Sequence, residues 1–289
     1  MCGVLNINKP LGITSFDVVR KIKKLAKEKK VGHGGTLDPE ASGVLPICMG
    51  RATKAIEFIM EDAKEYIAEV KLGVVTDTYD REGKVLREGV VDFTDEDITK
   101  VISKFLGNIQ QVPPMYSALK QNGKKLYELA REGKEVYREP RSITIHSIDI
   151  LRIESPIVEI KVKCSKGTYI RSLCYDIGEE LGCGAMMWNL KRSSTGPFNL
   201  ESSVNLEDLT EDNILQHIIS LEEVFSKFPK LVVNEKFEKL ILNGVTINDK
   251  TLLSKVEKFC NYTIYNNSNK LLGIGSETEV GFKLIKLFI

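Results

Sequence analysis

The segment HGGTLDPEASG, residues 33–43, lies between a lysine-rich stretch with helical spacing and an apolar stretch at 44–49 that predicts a short strand. It holds a carboxylate, Asp38, in a glycine-rich turn. The glycines allow backbone angles and close approaches that other residues do not, and Pro39 keeps Asp38 out of the helical region. The segment therefore predicts a rigid loop that presents Asp38 as a nucleophile or ligand, although Asp-Pro is also ordinary turn chemistry.

A helix precedes this loop and a strand follows it. Thr14 or Ser15 can cap the helix. Its apolar positions recur at helical spacing and are expected to pack on the core with lysines outward: Phe16, Val19, Ile22, Leu25 and Ala26. After a predicted helix at 51–62, the segment KEYIAEVKL alternates apolar and polar residues, which predicts a half-buried strand whose apolar face starts at Tyr66.

A later predicted helix carries a second charged residue of interest, Arg171. Helical spacing predicts a helix over 95–106 that ends at Gly107, and strands are predicted at 143–153 and 157–164. After a turn at 166–167, another helix begins, and Arg171 lies in its first turn, off the apolar stripe. The positive end of a helix dipole disfavours a cation, so Arg171 is expected to face an anion; an exposed arginine without a partner is the alternative.

Composition excludes several classes of protein. The 289 residues are 42% hydrophobic, enough for a sizeable core, but no apolar run approaches the roughly 18 residues that span a membrane. The first residues do not resemble a signal peptide, so a cytoplasmic location is expected. Six scattered cysteines form no C-x-x-C pair and are expected to be reduced and mostly buried. Three histidines far apart in sequence favour a mechanism without a metal.

Charge is strongly segregated although the net charge is only +1. Residues 20–30 carry seven lysines and arginines against a single glutamate, whereas residues 201–223 carry seven acids and no lysine or arginine. A basic stripe favours the binding of a polyanion. The alternative is an ordinary solvated helix face.

Two later segments differ from the rest. Residues 113–142 mix basic residues with Tyr116, Tyr127 and Tyr137, which suits nucleic acid and predicts an inserted arm; a helical hairpin over the sheet is the alternative. The acidic stretch 201–229 is predicted to be a connector with a short helix. Residues 230–289 are predicted to form a small separate β domain: a helix around 234–242, strands near 262–266, 270–275 and 281–287, and a hairpin turn at 266–269.

Six motifs in order resemble one family. They are GVLNINKPLGITS, VGHGGTLDPEASGVLPICMGRATK, KEYIAEVKLGVVTDTYDREG, VPPMYSALKQNGKKLYELAREG, CSKGTYIRSLCYDIGEELGCGA and LKRSSTGPF, spanning residues 3 to about 195. Together they resemble the bacterial TruB-type tRNA pseudouridine synthases. The resemblance implies an α/β (α+β) fold with a central mixed, largely antiparallel sheet and flanking helices over 1–229. Through NGVTI and NKLLGIG, residues 230–289 are similar to the RNA-binding PUA domain.

The resemblance also implies roles for residues at matching positions. Asp38 would be the catalytic aspartate, Tyr66 would lie under the target base, and Arg171 would pair with Asp38 and help to keep it ionised. The arm would close over the RNA. RNA-binding positions are expected at His33, Lys9, Leu190, Gly35, Thr36, Lys124, Lys125 and Tyr169.

The implied reaction converts uridine to pseudouridine at position 55, in the T-loop of tRNA. The uracil leaves and rejoins the same sugar without redox change, so no cofactor is expected, and the base must be flipped out of the loop. The expected partner is the T-arm of tRNA, bound by a monomer without an obligatory protein partner. A tRNA-binding chaperone without catalysis is the alternative. A nucleoside hydrolase fits the size of the basic surface less well, and a guide-RNA-dependent synthase is less favoured because such enzymes act in larger particles.

Overall fold

The computed structural model of the protein describes residues 2–289. The strands are β1 (Gly3–Lys9), β2 (Val31–His33), β3 (Ala41–Met49), β4 (Lys64–Leu72), β5 (Val74–Thr76), β6 (Val85–Glu88), β7 (Gly107–Gln111), β8 (Lys120–Gln121), β9 (Lys124–Lys125), β10 (Arg141–Glu154), β11 (Ile157–Cys164), β12 (Ala185–Thr195), β13 (Phe198–Asn199), β14 (Val204–Asn205), β15 (Lys230–Val232), β16 (Asn261–Tyr265), β17 (Leu271–Thr278) and β18 (Gly281–Leu287).

The helices of the described chain are fewer than the strands. They are α1 (Ser15–Leu25), α2 (Ile56–Glu61), α3 (Asp95–Ser103), α4 (Leu126–Arg131), α5 (Ile170–Leu181), α6 (Leu221–Val224), α7 (Glu235–Leu242) and α8 (Lys250–Leu253), with 3-10 turns at Gly50–Ala55, Leu206–Asp208 and Ile214–His217. The helix predicted at 51–62 is thus a 3-10 turn followed by α2.

A mixed sheet runs through the larger part of the molecule. Its strand order is β14-β1-β3-β12-β4-β11-β10-β7, with β2 paired to β3 and β13 paired to β12. Only the β1–β14 and β3–β12 pairs within this sheet are parallel. The expectation of a central mixed, largely antiparallel sheet is confirmed. No sequence pattern predicts β12, which lies at the centre of this sheet.

Helix α1 packs on the core through a different face from the one predicted. Thr14 is the N-cap and forms a capping box with Asp17, so Ser15 is the first helical residue and points inward. Successive helical residues rotate by about 100°, which brings Val18, Val19 and Ile22 to the same buried face. The prediction that Phe16 is a core residue is wrong, because its side chain is 59% exposed.

The arm at 113–142 is inserted between β7 and β10, which pair with each other at the edge of the sheet. Within it, β8 and β9 form a two-stranded hairpin that leads into α4. A helical hairpin is therefore not formed. The base of the arm is fastened to the start of α5: Gln111 exchanges two hydrogen bonds with the backbone of Tyr169, at 2.8 and 3.0 Å, and Ser172 Oγ donates to the Val112 carbonyl at 3.0 Å.

The acidic stretch 201–229 packs closely and is more than a connector. Leu206, Leu209 and Ile214 enter the main hydrophobic core, and α6 is the short helix that was predicted. Beyond it, β15, β16, β17 and β18 form a separate four-stranded sheet. The turn at 266–269 closes the β16–β17 hairpin as predicted.

The C-terminal sheet packs against the 3-10 turn and α2 that follow β3. Phe225 stacks between Phe228 and Phe288, with ring centroids 5.5 and 5.9 Å away. Lys54 donates to the Leu287 carbonyl at 2.9 Å. The contact is thus largely apolar, with a polar bond at its margin. Of the six cysteines, four are buried and none forms a disulfide in the described chain.

Candidate active site

The loop carrying Asp38 connects β2 to β3. Gly35 has φ +125°, a conformation that L side chains rarely adopt, and a Cβ on Gly34 would lie 2.8 Å from Ile59. The side chain of Asp38 is 42% exposed at the end of this loop. The glycine-rich stretch therefore brings the backbone close to α2 while it presents the carboxylate to solvent.

Neighbouring elements hold this loop at nearly every residue. Ser15 Oγ accepts from the Leu37 N–H at 2.8 Å and donates to the Leu37 carbonyl at 3.0 Å. The Gly12 N–H donates to the Pro39 carbonyl at 2.9 Å. Glu40 forms an ion pair with Arg81. Such contacts fix the position of Asp38 before any substrate binds, which is the arrangement that lowers the reorganisation cost of a reaction.

Arg171 meets the anion that the helix dipole argument predicts. Its Nη2 lies 3.0 Å from Asp38 Oδ2, and its side chain is only 9% exposed. The same guanidinium lies 3.2 Å from Asp80 Oδ2 and donates to the carbonyls of Thr78, at 3.3 Å, and Tyr116, at 3.0 Å. Arg171 thus joins the Asp38 loop, the segment after β5 and the base of the arm.

Tyr66, Arg192 and Leu190 share one face of the sheet beside this ion pair. On the β4–β12 ladder, Tyr66 lies opposite Arg192, and Leu190 lies opposite Ala68, so Tyr66 and Leu190 are diagonal neighbours. Burial raises the pKa of the Tyr66 hydroxyl, and the Arg192 guanidinium partly opposes that shift. Tyr66 is therefore a neutral phenol at physiological pH.

Arg192 is itself 2% exposed, and backbone carbonyls accept the hydrogen bonds of its guanidinium. Nε donates to Val44 at 2.7 Å, and Nη2 donates to Gly35 at 3.1 Å. The second of these bonds holds the loop two residues before Leu37. Arg192 thus connects the strand that bears Leu190 to the loop that bears Asp38.

The position of Lys9 corrects the expectation that it binds RNA. Its side chain is fully buried, and Nζ donates to the carbonyls of Pro10 and Ile13, both at 2.8 Å, and of Pro39, at 3.3 Å. Burial lowers the pKa of Lys9 to about 8, against the opposing effect of Asp38. Because the ammonium is enclosed by these carbonyls, it supports the Asp38 loop and does not face an RNA phosphate.

His33 and Tyr169 lie at the edges of the site. His33 ends β2, and its buried Nδ1 has no hydrogen-bond partner within residues 2–289. Burial, and secondarily Arg192, lowers the pKa of His33. Tyr169 caps α5 next to Arg171, and burial raises the pKa of its hydroxyl. Both side chains are neutral near pH 7.

The remaining predicted RNA contacts divide between the loop and the arm. Thr36 is exposed on the loop. Lys124 lies on the arm 3.3 Å from Glu132, and Lys125 lies with its Nζ 5.3 Å from the centroid of the Tyr127 ring. The structure does not bring either lysine into contact with Asp38, so a role in binding requires RNA to bridge the two regions. These roles remain predictions.

Sequence reasoning missed three site residues. Asp80 and Arg81 lie in the quoted motif TDTYDREG, and Arg192 lies two residues after Leu190, but no spacing rule connects any of them to Asp38. Their one signal in the sequence is that they are charged residues within the family motifs. The roles in those motifs were assigned to other residues, chiefly Asp38, Tyr66 and Arg171.

Two searches of residues 2–289 gave negative results. No three histidine, cysteine, aspartate or glutamate side chains lie close enough together to hold a metal ion. No helix in that range is both long and apolar enough to cross a membrane.

Comparisons with known proteins connect this geometry to a family. The model for the TruB family pseudouridylate synthase N-terminal domain matches residues 23–170, and that for the tRNA pseudouridylate synthase B C-terminal domain matches residues 171–226. The tRNA pseudouridine synthase B of Clostridium acetobutylicum is 56% identical over 99% of both chains. That of Clostridium kluyveri is 55% identical over the full length of both.

The fold is shared with more distant solved structures. A chain in the crystal structure of a Cbf5-Nop10-Gar1 complex superposes with a TM-score of 0.76 at 28% identity, over 99% of this chain and 85% of that chain. The family models cover most of the catalytic sheet, and the relatives cover the whole chain. The protein therefore belongs to the TruB family of pseudouridylate synthases.

Proposed function

We propose that the protein isomerises uridine to pseudouridine at position 55, in the T-loop of tRNA, and that Asp38 is the residue on which the chemistry depends. The observation that carries this proposal is the ion pair between Asp38 and Arg171, in which a partly exposed carboxylate is held by a guanidinium that is almost fully buried. A protein that only binds RNA gains nothing from a carboxylate presented towards phosphates.

The reaction needs the target base outside the RNA stack. Flipping a nucleotide costs a few kcal/mol, which contacts to the protein must offset. Tyr66 supplies an aromatic face for the uracil, and Leu190 supplies an apolar neighbour on the next strand. We assign these two residues to the base and the arm to the surrounding RNA.

The bond changes balance without an external reagent. The glycosidic bond between N1 and C1′ breaks, the uracil turns, and C5 bonds to C1′; C5 loses a proton to solvent and N1 gains one. Asp38 acts either as a nucleophile or as a base in this sequence. In both cases the fixed loop delivers the carboxylate to one place, and Arg171 compensates its charge.

Comparisons support tRNA as the substrate. Relatives named tRNA pseudouridine synthase B are 55–56% identical to this chain, whereas the Cbf5 chain is 28% identical. We therefore favour an enzyme that acts on the T-arm of tRNA, and we include a monomer without an obligatory protein partner in the same proposal. The PUA-like sheet at 230–289 is assigned to RNA binding as part of the same proposal.

Tritium release tests the proposal directly, because C5 of uridine loses its hydrogen only when the new bond to the sugar forms. The substrate is a tRNA transcript labelled with [5-³H]uridine. It is compared with a transcript that lacks the uridine at position 55, and wild type is compared with Asp38→Asn. We expect release by wild type alone and only from the first transcript, with tRNA binding by Asp38→Asn within a few-fold of wild type.

Other outcomes discriminate among the alternatives. Release that persists without that uridine would indicate a synthase with another target. Full activity of Asp38→Asn would contradict the role of the carboxylate. Tight tRNA binding by wild type without any release would favour the chaperone.

A further inference from the structure

Phe16 is an exposed aromatic residue on an element that is fixed to the catalytic loop. Its side chain is 59% exposed. The preceding residue, Ser15, is buried and exchanges two hydrogen bonds with the backbone of Leu37, next to Asp38. Its exposed ring does not contribute to the core. The hydrogen bonds between Ser15 and Leu37 fix its position relative to the Asp38 loop.

Basic residues follow Phe16 along α1: Arg20 and Lys24 are exposed, and Lys23 is half-buried. The guanidinium of Arg20, one turn on, lies 5.7 Å from the centroid of the Phe16 ring, and it also pairs with Asp17. Lys23 and Lys24 come a turn later. A residue seven places along a helix lies within about 20° of the first, so Lys23 is nearly in line with Phe16, at a rise of about 11 Å.

The lysines on this face are not neutralised by the protein. Within residues 2–289, no carboxylate lies within ion-pairing distance of Lys23 or Lys24. The pair between Lys27 and Glu211, 2.6 Å apart, marks where the acidic segment begins to compensate the helix. Uncompensated positive charge is therefore concentrated in the C-terminal half of α1, along the helix from the end that Ser15 fixes to the Asp38 loop.

We propose that this face of α1 is a binding track for an unpaired part of the substrate RNA, with one base stacked on Phe16 and backbone phosphates on Lys23 and Lys24. An aromatic ring followed by cations is the pattern that binds single-stranded nucleic acid, because each base offers a face for stacking and each linkage a charge. The Arg20 guanidinium lies over the Phe16 ring and adds a cation to this platform. The inference rests on the proposed function for the identity of the RNA.

The experiment measures binding and turnover separately on the full-length protein. Phe16→Leu keeps an apolar side chain and removes the ring, Phe16→Tyr keeps the ring, and the double variant Lys23→Ala, Lys24→Ala removes two charges. Leu86→Ala on β6 and Lys100→Ala on α3 are matched controls, because both side chains are also exposed. Unmodified tRNA transcript is the probe, with fluorescence anisotropy for the Kd and tritium release for kcat and KM.

Stacking makes a prediction that apolar packing does not. Phe16→Leu is expected to raise the Kd and KM about fivefold to tenfold with kcat almost unchanged, and Phe16→Tyr to stay within about twofold of wild type. The lysine variant should reduce the slope of log K against log salt by roughly 1.4, since each contact to a single strand contributes about 0.7. The controls should match wild type in every measurement.

Two results would overturn the track. One is wild-type Kd, KM and salt slope in Phe16→Leu and in the lysine variant. The other is an equal loss of affinity in Phe16→Tyr and Phe16→Leu. Failure of the proposed function is recognised separately, because wild type would then release no tritium while the Kd comparison among variants could still support or refute the track.

Discussion

Arg171 and Asp80 form an ion pair at 3.2 Å through Nη1 of the guanidinium, while Nη2 lies 3.0 Å from Asp38. Asp80 is nearly buried, so this bond fixes the orientation of Arg171 from a rigid part of the fold. Without it the guanidinium keeps its bonds to the carbonyls of Thr78 and Tyr116 but loses the charged partner that completes its position, and displacements of about 1 Å at a reacting group can cost 10²-fold in rate.

Asp80→Asn is therefore expected to lower kcat about 10- to 100-fold and to leave the Kd for tRNA within a few-fold. Single-turnover tritium release measures the first quantity and anisotropy the second. Asp77→Asn is the matched control, because Asp77 precedes Asp80 by three residues and accepts only a backbone bond, from Lys84 at 2.8 Å. A loss of turnover no larger than that of the control would contradict the positioning role.

Arg81, next to Asp80 in the chain, contacts the Asp38 loop directly. It forms an ion pair with Glu40, and Nη1 donates to Asn189 Oδ1 at 2.9 Å. Both charged side chains are about one-quarter exposed, so the pair contributes modestly to stability. Its larger effect is expected on geometry, because Glu40 lies two residues from Asp38. Arg81→Gln should lower kcat about threefold to tenfold at unchanged Kd.

A reversed pair separates this ion pair from a general effect of charge. Glu40→Arg alone should lower kcat at least as much as Arg81→Gln, whereas Glu40→Arg with Arg81→Glu should recover part of the loss. With the single variant Arg81→Glu measured as well, the comparison is a double-mutant cycle on kcat. Additive losses in the double variant would show that the two side chains do not act together.

Elements with a clear period could be predicted from sequence. The alternation in β4 and the helical stripe of α5 are visible locally, because each residue's burial follows from its neighbours in the chain. Arg171 could be expected to face an anion for a similar reason, since its position in the first turn of α5 is a local property. The family resemblance then supplied Asp38 as that anion, and the structure places the two 3.0 Å apart.

Residues whose surroundings form only in the folded chain could not be predicted in this way. Arg192 interrupts the apolar pattern of β12, and it is tolerated at 2% exposure because carbonyls from two other segments accept its hydrogen bonds. Lys9 is buried for the same reason. For Phe16 the prediction was burial and the structure shows exposure. Its spacing fits the core stripe, but the helix that begins after the N-cap at Thr14 places its side chain on the outer face.

Tyr66→Phe tests whether the phenol does more than support the base. Burial raises the pKa of Tyr66, so the hydroxyl is protonated over the working range of pH and accepts a proton only with difficulty. If it nevertheless takes part in removing the C5 proton, Tyr66→Phe should retain the Kd for tRNA and lose at least about 100-fold in kcat. Tyr66→Leu should weaken binding as well, because it removes the ring.

The pH dependence of kcat in wild type and in Tyr66→Phe further distinguishes a stacking role of Tyr66 from a role in proton removal. Phe and Tyr offer the same aromatic face, so equal kcat values would restrict Tyr66 to stacking. The measurement is single-turnover release between pH 6 and pH 9, where the raised pKa of Tyr66 predicts no ionisation of this group. A rise of wild-type kcat with pH that disappears in Tyr66→Phe would contradict that prediction.

Lys9 should make the stability of the protein depend on pH in an unusual direction. Burial lowers its pKa from 10.5 to about 8 in the folded protein, so between these values the unfolded chain binds more protons than the folded one. Stability rises with pH wherever that holds. The contribution of Lys9 to the free energy of unfolding should therefore increase from pH 8 to pH 10.5, by on the order of 3 kcal/mol.

Lys9→Met isolates this contribution, because every other titrating group is common to both proteins. Urea unfolding of wild type and Lys9→Met at several pH values gives the difference in free energy at each. We expect the difference to shift in favour of wild type as pH rises through 8, since the enclosed ammonium then loses the charge whose burial is unfavourable. A difference that stays constant up to pH 10 would mean that the three carbonyl bonds to Pro10, Ile13 and Pro39 fully offset the burial of the charge.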